Sequence, residues 1–318
     1  MKFIVTKQDR LDKILYKELN VARNQAENLI KKHGIRVDGK LVKKCGFKVK
    51  EGQVIEFELI ESKQSSGVKI DFDVDIIYED KNLLIINKPP FLVVHPAPSV
   101  KEPTLVDWLK NRGVSLSTIS GEERHGIVHR IDKETSGALV VAKNNDSHKE
   151  LSSQLENRSM GRYYLAIIDN PLKDDLIVDK PIFRDRKNRI KMAIDQNGRE
   201  SKSAFIKLAL SKNGKFELIA CKLFSGRTHQ IRVHLSSISR HIVGDKLYGY
   251  KSKKDTIPRV MLHAYIIYLK DPKDDKYIIK KASLFEDFKD ILYKEFDKEE
   301  IDEKINSDYI ISRFDKFV

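Results

Sequence analysis

Between two apolar runs, Ile127-Val128 and Ala138 to Val141, the chain carries His129-Arg130-Ile131-Asp132-Lys133-Glu134-Thr135-Ser136-Gly137, and no other stretch restricts its fold as much. Short apolar runs bounded by turn-prone residues read as buried strands. The polar segment between them is therefore presented at a strand's end, where side chains are both held and reachable. Asp132 lies between Arg130 and Lys133. Neighbouring positive charge favours a charged carboxylate even where burial would protonate it. Such an aspartate can act as a nucleophile.

A second polar stretch has the same character. Phe216 to Leu223 reads as a strand running into Phe224-Ser225-Gly226-Arg227-Thr228-His229-Gln230-Ile231-Arg232-Val233-His234-Leu235, so that a glycine-containing loop delivers Arg227 just before a helix. Two histidines here raise the question of a metal. His229 and His234 are five residues apart, which on a helix separates them by about 140°, whereas a zinc pair is normally spaced by four. Cys45 and Cys221, the only cysteines, form no CxxC pattern. Neither a metal site nor a disulfide framework is expected, and the cysteine usage suits a reducing cytosol. With no apolar run of 18 or more residues and no secretory leader after Met1, we expect a cytoplasmic protein that neither spans nor binds a membrane.

The chain opens with a distinct module. Leu11, Ile14, Leu15 and Leu19 share one helical face; Ala22, Ala26, Leu29 and Ile30 share another, which stops at Gly34. Ile35-Arg36-Val37 then meets Asp38-Gly39, a hairpin signal, and Gln53 to Leu59 alternates in strand fashion. Charge singles this module out: the whole protein has a net +13, and residues 1 to 60 hold 14 Lys/Arg against 8 Asp/Glu. Arg23, Lys31, Lys32, Arg36, Lys40, Lys43, Lys44, Lys48 and Lys50 cluster on the second helix and the turns after it, a pattern suited to a polyanion. A merely solvated face is the bland alternative. Glu61 to Gly67 has no apolar residue and reads as a flexible linker.

Beyond the linker, Ile76 to Tyr78 and Leu83 to Ile86 flank a hairpin that leads into Asn87-Lys88-Pro89-Pro90 and Val93-Val94-His95-Pro96. Thr104 and Asp107 form a capping pair for a helix whose Trp108 belongs in the core. Arg162 to Ile168 reads as a strand, on which Tyr163 and Tyr164 must face opposite ways. Residues 183 to 203 read as a basic hairpin, and Phe285, Phe288, Ile291, Leu292 and Phe296 as a helix. Residues 297 to 318 are a charged C-terminal tail to which the sequence gives no task.

Several segments in order carry a resemblance: His129-Arg130-Ile131-Asp132 with Thr135-Ser136-Gly137 and Ala142-Lys143, Gly226 to Leu235, Asn87 to Pro90 with Val93 to Pro96, Val243-Gly244-Asp245 with Leu247-Tyr248-Gly249, and Leu262-His263-Ala264. Together they resemble the RluA/RluD family of pseudouridine synthases over residues 70 to 290, and residues 1 to 60 resemble the RNA-binding domain shared with ribosomal protein S-four. Ile131 stands where leucine is usual and Ser225 where threonine is usual. The resemblance implies an α+β architecture: a small αα-β RNA-binding domain (1–60), a linker (61–69), a catalytic domain built on a large mixed, mainly antiparallel sheet flanked by helices (70–296), and the tail (297–318).

It also implies uridine isomerisation in RNA without cofactor or metal; the amino-terminal module points to large-subunit ribosomal RNA, and we expect a monomer. By residue it implies Asp132 as the catalytic aspartate, Arg227 as its salt-bridge partner, Tyr164 as the aromatic packed on the target base, and Arg130 as the side chain filling the space of the flipped base. His129 adjoins Arg130 at the RNA side, although nothing in the chemistry demands an imidazole and structural hydrogen bonding is the preferred reading. The chemistry agrees: moving a glycosidic bond from nitrogen to carbon means detaching uracil, holding it and rejoining it with water excluded. A carboxylate could form an adduct with the sugar or deprotonate it. Alternatives are a catalytically silent RNA-binding or ribosome-assembly factor, a transfer-RNA-directed synthase, and a uridine glycosylase.

Overall fold

The computed structural model describes residues 2–19, 23–57, 70–96, 100–112, 117, 126–252 and 257–317. Leu59 and the expected linker at residues 61–69 lie outside these. Among the described residues no helix is long and apolar enough to cross a membrane. The chain divides into two compact units, Met1–Asp71 with His95–Ile127, and Phe72–Val94 with Val128–Val318.

The first unit contains β1 (Lys2–Ile4), β2 (Asp9–Arg10), α1 (Leu11–Glu18), α2 (Arg23–Lys32), β3 (Ile35–Val37), β4 (Lys40–Val42), β5 (Lys48–Val49), β6 (Val54–Glu56) and α3 (Leu105–Asn111). Its four-stranded sheet runs β1-β6-β3-β4. Asp38 and Gly39 both take positive φ (47° and 78°), the geometry of the tight turn that joins β3 to β4. Leu11, Leu15, Ala26, Ile30, Ile35, Val37 and Ile55 form its core. At α3 the Thr104–Asp107 capping box is complete, and Trp108 is buried.

The second unit is organised on one sheet: β7 (Asp75–Glu79), β8 (Leu83–Lys88), β9 (Ser136–Ala142), β10 (Gly161–Asp169), β11 (Leu176–Asp179), β14 (Lys202–Leu210), β15 (Phe216–Leu223), β16 (Leu262–Lys270) and β17 (Tyr277–Lys281), with β12 (Ile182–Arg184) and β13 (Met192–Ile194) forming a separate hairpin. The strand order is β11-β14-β15-β10-β16-β9-β8-β7, with β17 on β16. Every pairing is antiparallel except β9 with β16. Helices α4 (Asn145–Asn157), α5 (Gln230–Ser236), α6 (Glu286–Glu295), α7 (Lys298–Lys304) and α8 (Ser307–Arg313) complete it.

Two features position the site. All seven residues of β9 are buried, as a central strand in this sheet requires. Gly137, at φ +111°, brings β9 against β16: a Cβ there would lie 2.3 Å from the Ala264 carbonyl oxygen, so only glycine fits. The first apolar run of the opening stretch differs from expectation. Ile127-Val128 belongs to no strand of the sheet, and residues 128–135 lead into β9 as irregular backbone.

Candidate active site

The backbone around Asp132 is held mainly by side chains from elsewhere in the unit. One local bond, Thr135 N–H to the Asp132 carbonyl (3.2 Å), closes a turn. Lys88, at the end of β8 and fully buried, donates from Nζ to the carbonyls of Pro89 (2.7 Å), Leu92 (3.0 Å) and Lys133 (3.1 Å). Arg259, equally buried, donates to the Glu134 carbonyl (3.2 Å) and pairs through Nε and Nη2 with Asp287 (2.5 and 2.9 Å). The two carbonyls that follow Asp132 are thus each fixed by a buried cation. Burial, then the Arg259 charge, pulls the Lys88 pKa down to about 7, with Asp132 opposing. The three carbonyls also oppose, because only the ammonium form has three N–H groups to give.

Arg232, not Arg227, reaches Asp132. Its Nη1 lies 3.3 Å from Asp132 Oδ2, while Nε and Nη2 form a bidentate pair with Asp245 (2.7 and 2.8 Å). Burial would lower the arginine's pKa, but Asp245 first and Asp132 second raise it, so it is a permanent cation. The guanidinium also lies 4.9 Å from the Tyr248 ring centre.

The expected Asp132–Arg227 salt bridge is absent. Arg227 points its Nε to the Glu200 carbonyl (3.2 Å) instead. The cause is local: Gln230 accepts from the Arg227 amide (3.0 Å) and from Ser225 Oγ (2.8 Å), pinning the loop, and α5 starts only after His229 turns the chain at φ +56°. The first turn of α5, not the loop, faces the carboxylate.

His229, Asp245 and Tyr248 also went unassigned in the sequence. His229 Nε2 is 3.8 Å from Asp132 Oδ2, and its Nδ1 is 2.8 Å from the Tyr248 hydroxyl. Burial chiefly lowers the His229 pKa, against the pull of Asp132, so the ring is neutral at pH 7. One signal was available: Arg232 sits between Ile231 and Val233 in an apolar helix, and a cation buried there needs a carboxylate partner.

Asp132, about a quarter exposed at 27%, faces a cavity of about 700 Å³ also lined by Arg130, Tyr164, Arg227, His229 and Arg232. Tyr164 is buried from bulk solvent at 4%, yet its ring borders the cavity. Burial raises its pKa, leaving a neutral phenol. Tyr163 faces the other way, with ring centres 5.4 Å from Tyr268 and 5.2 Å from Phe314, as strand alternation requires.

His129 accepts from the Val140 amide (3.1 Å) and rests against Arg162, which is a structural arrangement. Burial, then the Arg162 charge, holds its pKa well below the ordinary value. Arg130 is exposed, with Nη2 3.4 Å from Thr228 Oγ1. In the first unit Lys31, Arg36, Lys40, Lys43, Lys44, Lys48 and Lys50 are all exposed, while the side chains of Arg23 and Lys32 lie outside the described residues. Among the described residues no group of three or more His, Cys, Asp or Glu is placed to hold a metal ion.

Comparison with known proteins identifies the family. A family model described as RNA pseudouridylate synthase matches residues 82–237, and one described as the S4 domain matches residues 9–55. An RNA pseudouridine synthase of Helicobacter pylori (strain J99) is 46% identical over 97% of each chain. The ribosomal large subunit pseudouridine synthase D of Zymomonas mobilis is 39% identical over 77% of this chain and 78% of its own. Among solved structures, human RNA pseudouridylate synthase domain containing 4 superposes with a TM-score of 0.54 at 25% identity, covering 69% of this chain and 92% of that one.

Proposed function

The chain belongs to the RNA pseudouridine synthases, and from that premise we propose that it isomerises chosen uridines of large-subunit ribosomal RNA with Asp132 as the reacting carboxylate. The observation that carries this reading is the Asp132–Arg232 contact at the wall of a cavity that Tyr164 also borders. A carboxylate oriented by a fixed cation, and still partly open, is what either route needs, whether it adds to the sugar or removes a proton from it. Tyr164 offers a flat neutral ring for the uracil while it is detached.

The target base must first leave its stack, at a cost of about a few kcal/mol. Arg130, exposed beside the cavity, is placed to fill the vacated space and offset part of that cost. The exposed cations of the S4 domain supply affinity for RNA that falls with salt. The ribosomal target is supported by the name of the Zymomonas mobilis relative.

The test is nucleoside mapping of ribosomal and transfer RNA from a strain lacking the gene, followed by restoration with the wild type or with Asp132→Ala. One or more large-subunit pseudouridines should vanish and return with the wild type alone. Loss confined to transfer RNA would reassign the substrate. RNA binding with no pseudouridine on any RNA would make the protein a silent binder, and release of free uracil would make it a glycosylase.

A further inference from the structure

Residues 297–317 lie past the end of the family match, and charged side chains dominate them. They are nevertheless folded onto the second unit. Ile301 in α7, Ile310 in α8 and Phe314 are completely buried. Arg313 and Lys316 both bond Asp175 Oδ2 at 2.6 Å, and the Asp175 Oδ1 is taken by the Lys207 amide (2.8 Å). Phe314 packs on Tyr163, which faces away from Tyr164. This anchoring delivers a short 3-10 turn, Asp315–Phe317, to a defined place.

Phe314 and Phe317 are then treated differently. Phe314 is fully buried; Phe317, its ring centre 6.2 Å away, stays half-buried and lines the same cavity as Asp132 and Tyr164. The cavity also carries Phe224, Lys202 and Lys222. Lys202 Nζ is 5.1 Å from the Phe224 ring centre, and Lys222 Nζ is 5.5 Å from those of both Phe224 and Tyr163. Rings alternating with ammonium groups are what a protein offers to unpaired nucleotides: the faces take bases and the cations take phosphates. A ring with only a packing role belongs where Phe314 is.

We propose that the turn Asp315–Phe317 is a wall of the RNA site, where Phe317 and Phe224 stack bases of nucleotides adjoining the target uridine and Lys202 and Lys222 bind their phosphates. This rests on the reading of the cavity as the site of uridine isomerisation. The RNA it fits is single-stranded on at least one side of the target, because a paired base has no free face to give.

The experiment compares full-length wild type with Phe317→Ala, Phe317→Trp and the double variant Lys202→Ala/Lys222→Ala, using as probe a ribosomal RNA fragment that the wild type modifies. Stacking is worth about 1–3 kcal/mol per base, so Phe317→Ala should raise KM about 5- to 150-fold with kcat within about threefold. Phe317→Trp should restore KM, and the thermal midpoint of Phe317→Ala should fall far less than that of a fully buried ring, since Phe317 is only half-buried. The lysine double variant should flatten the log-log salt dependence of binding by about 1.4, near 0.7 per single-strand phosphate contact.

Unchanged KM in Phe317→Ala, or KM restored by no aromatic residue, would overturn the wall. Faster turnover in Phe317→Ala would overturn it too, because Phe317 would then be a plug. If the wild type itself forms no pseudouridine on any RNA, the functional reading fails, whatever Phe317 does.

Discussion

The loop at residues 128–135 and the helix α5 converge on one carboxylate, and they are built in opposite ways. Within the loop one backbone bond, Thr135 N–H to the Asp132 carbonyl, closes a turn. The loop's shape is set by Lys88, at the end of β8, and Arg259, in the segment leading into β16, which grip the carbonyls of Lys133 and Glu134. The helix satisfies its own backbone and instead needs a partner for a side chain, Arg232, which it finds in Asp245. Positioning by backbone and positioning by side chain should fail differently. A broken clamp displaces Asp132 and leaves the unit folded; a broken Arg232–Asp245 pair strands a buried charge.

The largest effect is therefore expected at Arg232. Arg232→Ala leaves Asp245, 1% exposed, without its cation, and removing one partner of a buried pair costs about 3–5 kcal/mol. Arg232→Lys keeps the charge but not the fork, so it should fold while losing a hundredfold or more in kcat. Arg227→Ala removes only a bond to a carbonyl and should cost under about 1 kcal/mol. Urea denaturation with single-turnover kinetics on all three separates the outcomes. If Arg227→Ala proves the more destabilising or the slower, the two arginines have been assigned the wrong way round.

Next is the clamp. Lys88→Met fills a similar volume but orphans three carbonyls, at about 1–3 kcal/mol for a buried polar group left unpaired. The expected signature is a drop in kcat of about tenfold or more with KM within about twofold, because the RNA surface is untouched. The pH dependence gives an independent reading. The folded pKa is about 7 and the unfolded value 10.5, so between these the unfolded chain holds a proton that the folded chain has released. Stability from Lys88 therefore rises with pH across that window and is least at or below pH 7. The stability gap between wild type and variant should widen from pH 7 to 9, by at most about 1.4 kcal/mol per unit. A gap that stays constant from pH 7 to 9 would mean that the three carbonyls hold the lysine as ammonium throughout.

The same contrast explains what could be seen in the sequence. Period-2 apolar runs and turn residues located most strands, and Asp38-Gly39 and Thr104–Asp107 behave as their chemistry dictates, since each is a local matter. Asp132 and Tyr164 line one cavity; the motif resemblance names both, while alternation alone requires only that one of Tyr163 and Tyr164 face it. Arg232 was overlooked in favour of Arg227 because both lie in one motif, and only the turn at His229 decides which of them faces the carboxylate. Lys88 and Arg259 could not be read as a clamp, for their partners are backbone carbonyls 45 and 125 residues away. The segment after residue 297 misled through its charge, because three fully buried side chains, Ile301, Ile310 and Phe314, suffice to dock it.

The smallest effect is expected at Tyr164, where it says most about the chemistry. Among the described residues its hydroxyl has no hydrogen-bond partner, while its ring borders the cavity beside Arg162. Phenylalanine keeps that ring, so Tyr164→Phe should alter stability by no more than about 0.5 kcal/mol and kcat by less than about threefold. Tyr164→Ala is the contrast: loss of a large buried ring typically costs about 3–5 kcal/mol, and the detached uracil loses its platform. Kinetics of the phenylalanine variant under saturating RNA decide the matter. A fall in kcat of a hundredfold or more at unchanged KM would mean that the hydroxyl moves a proton in the reaction, and the ring would no longer suffice as the account of why a tyrosine stands there.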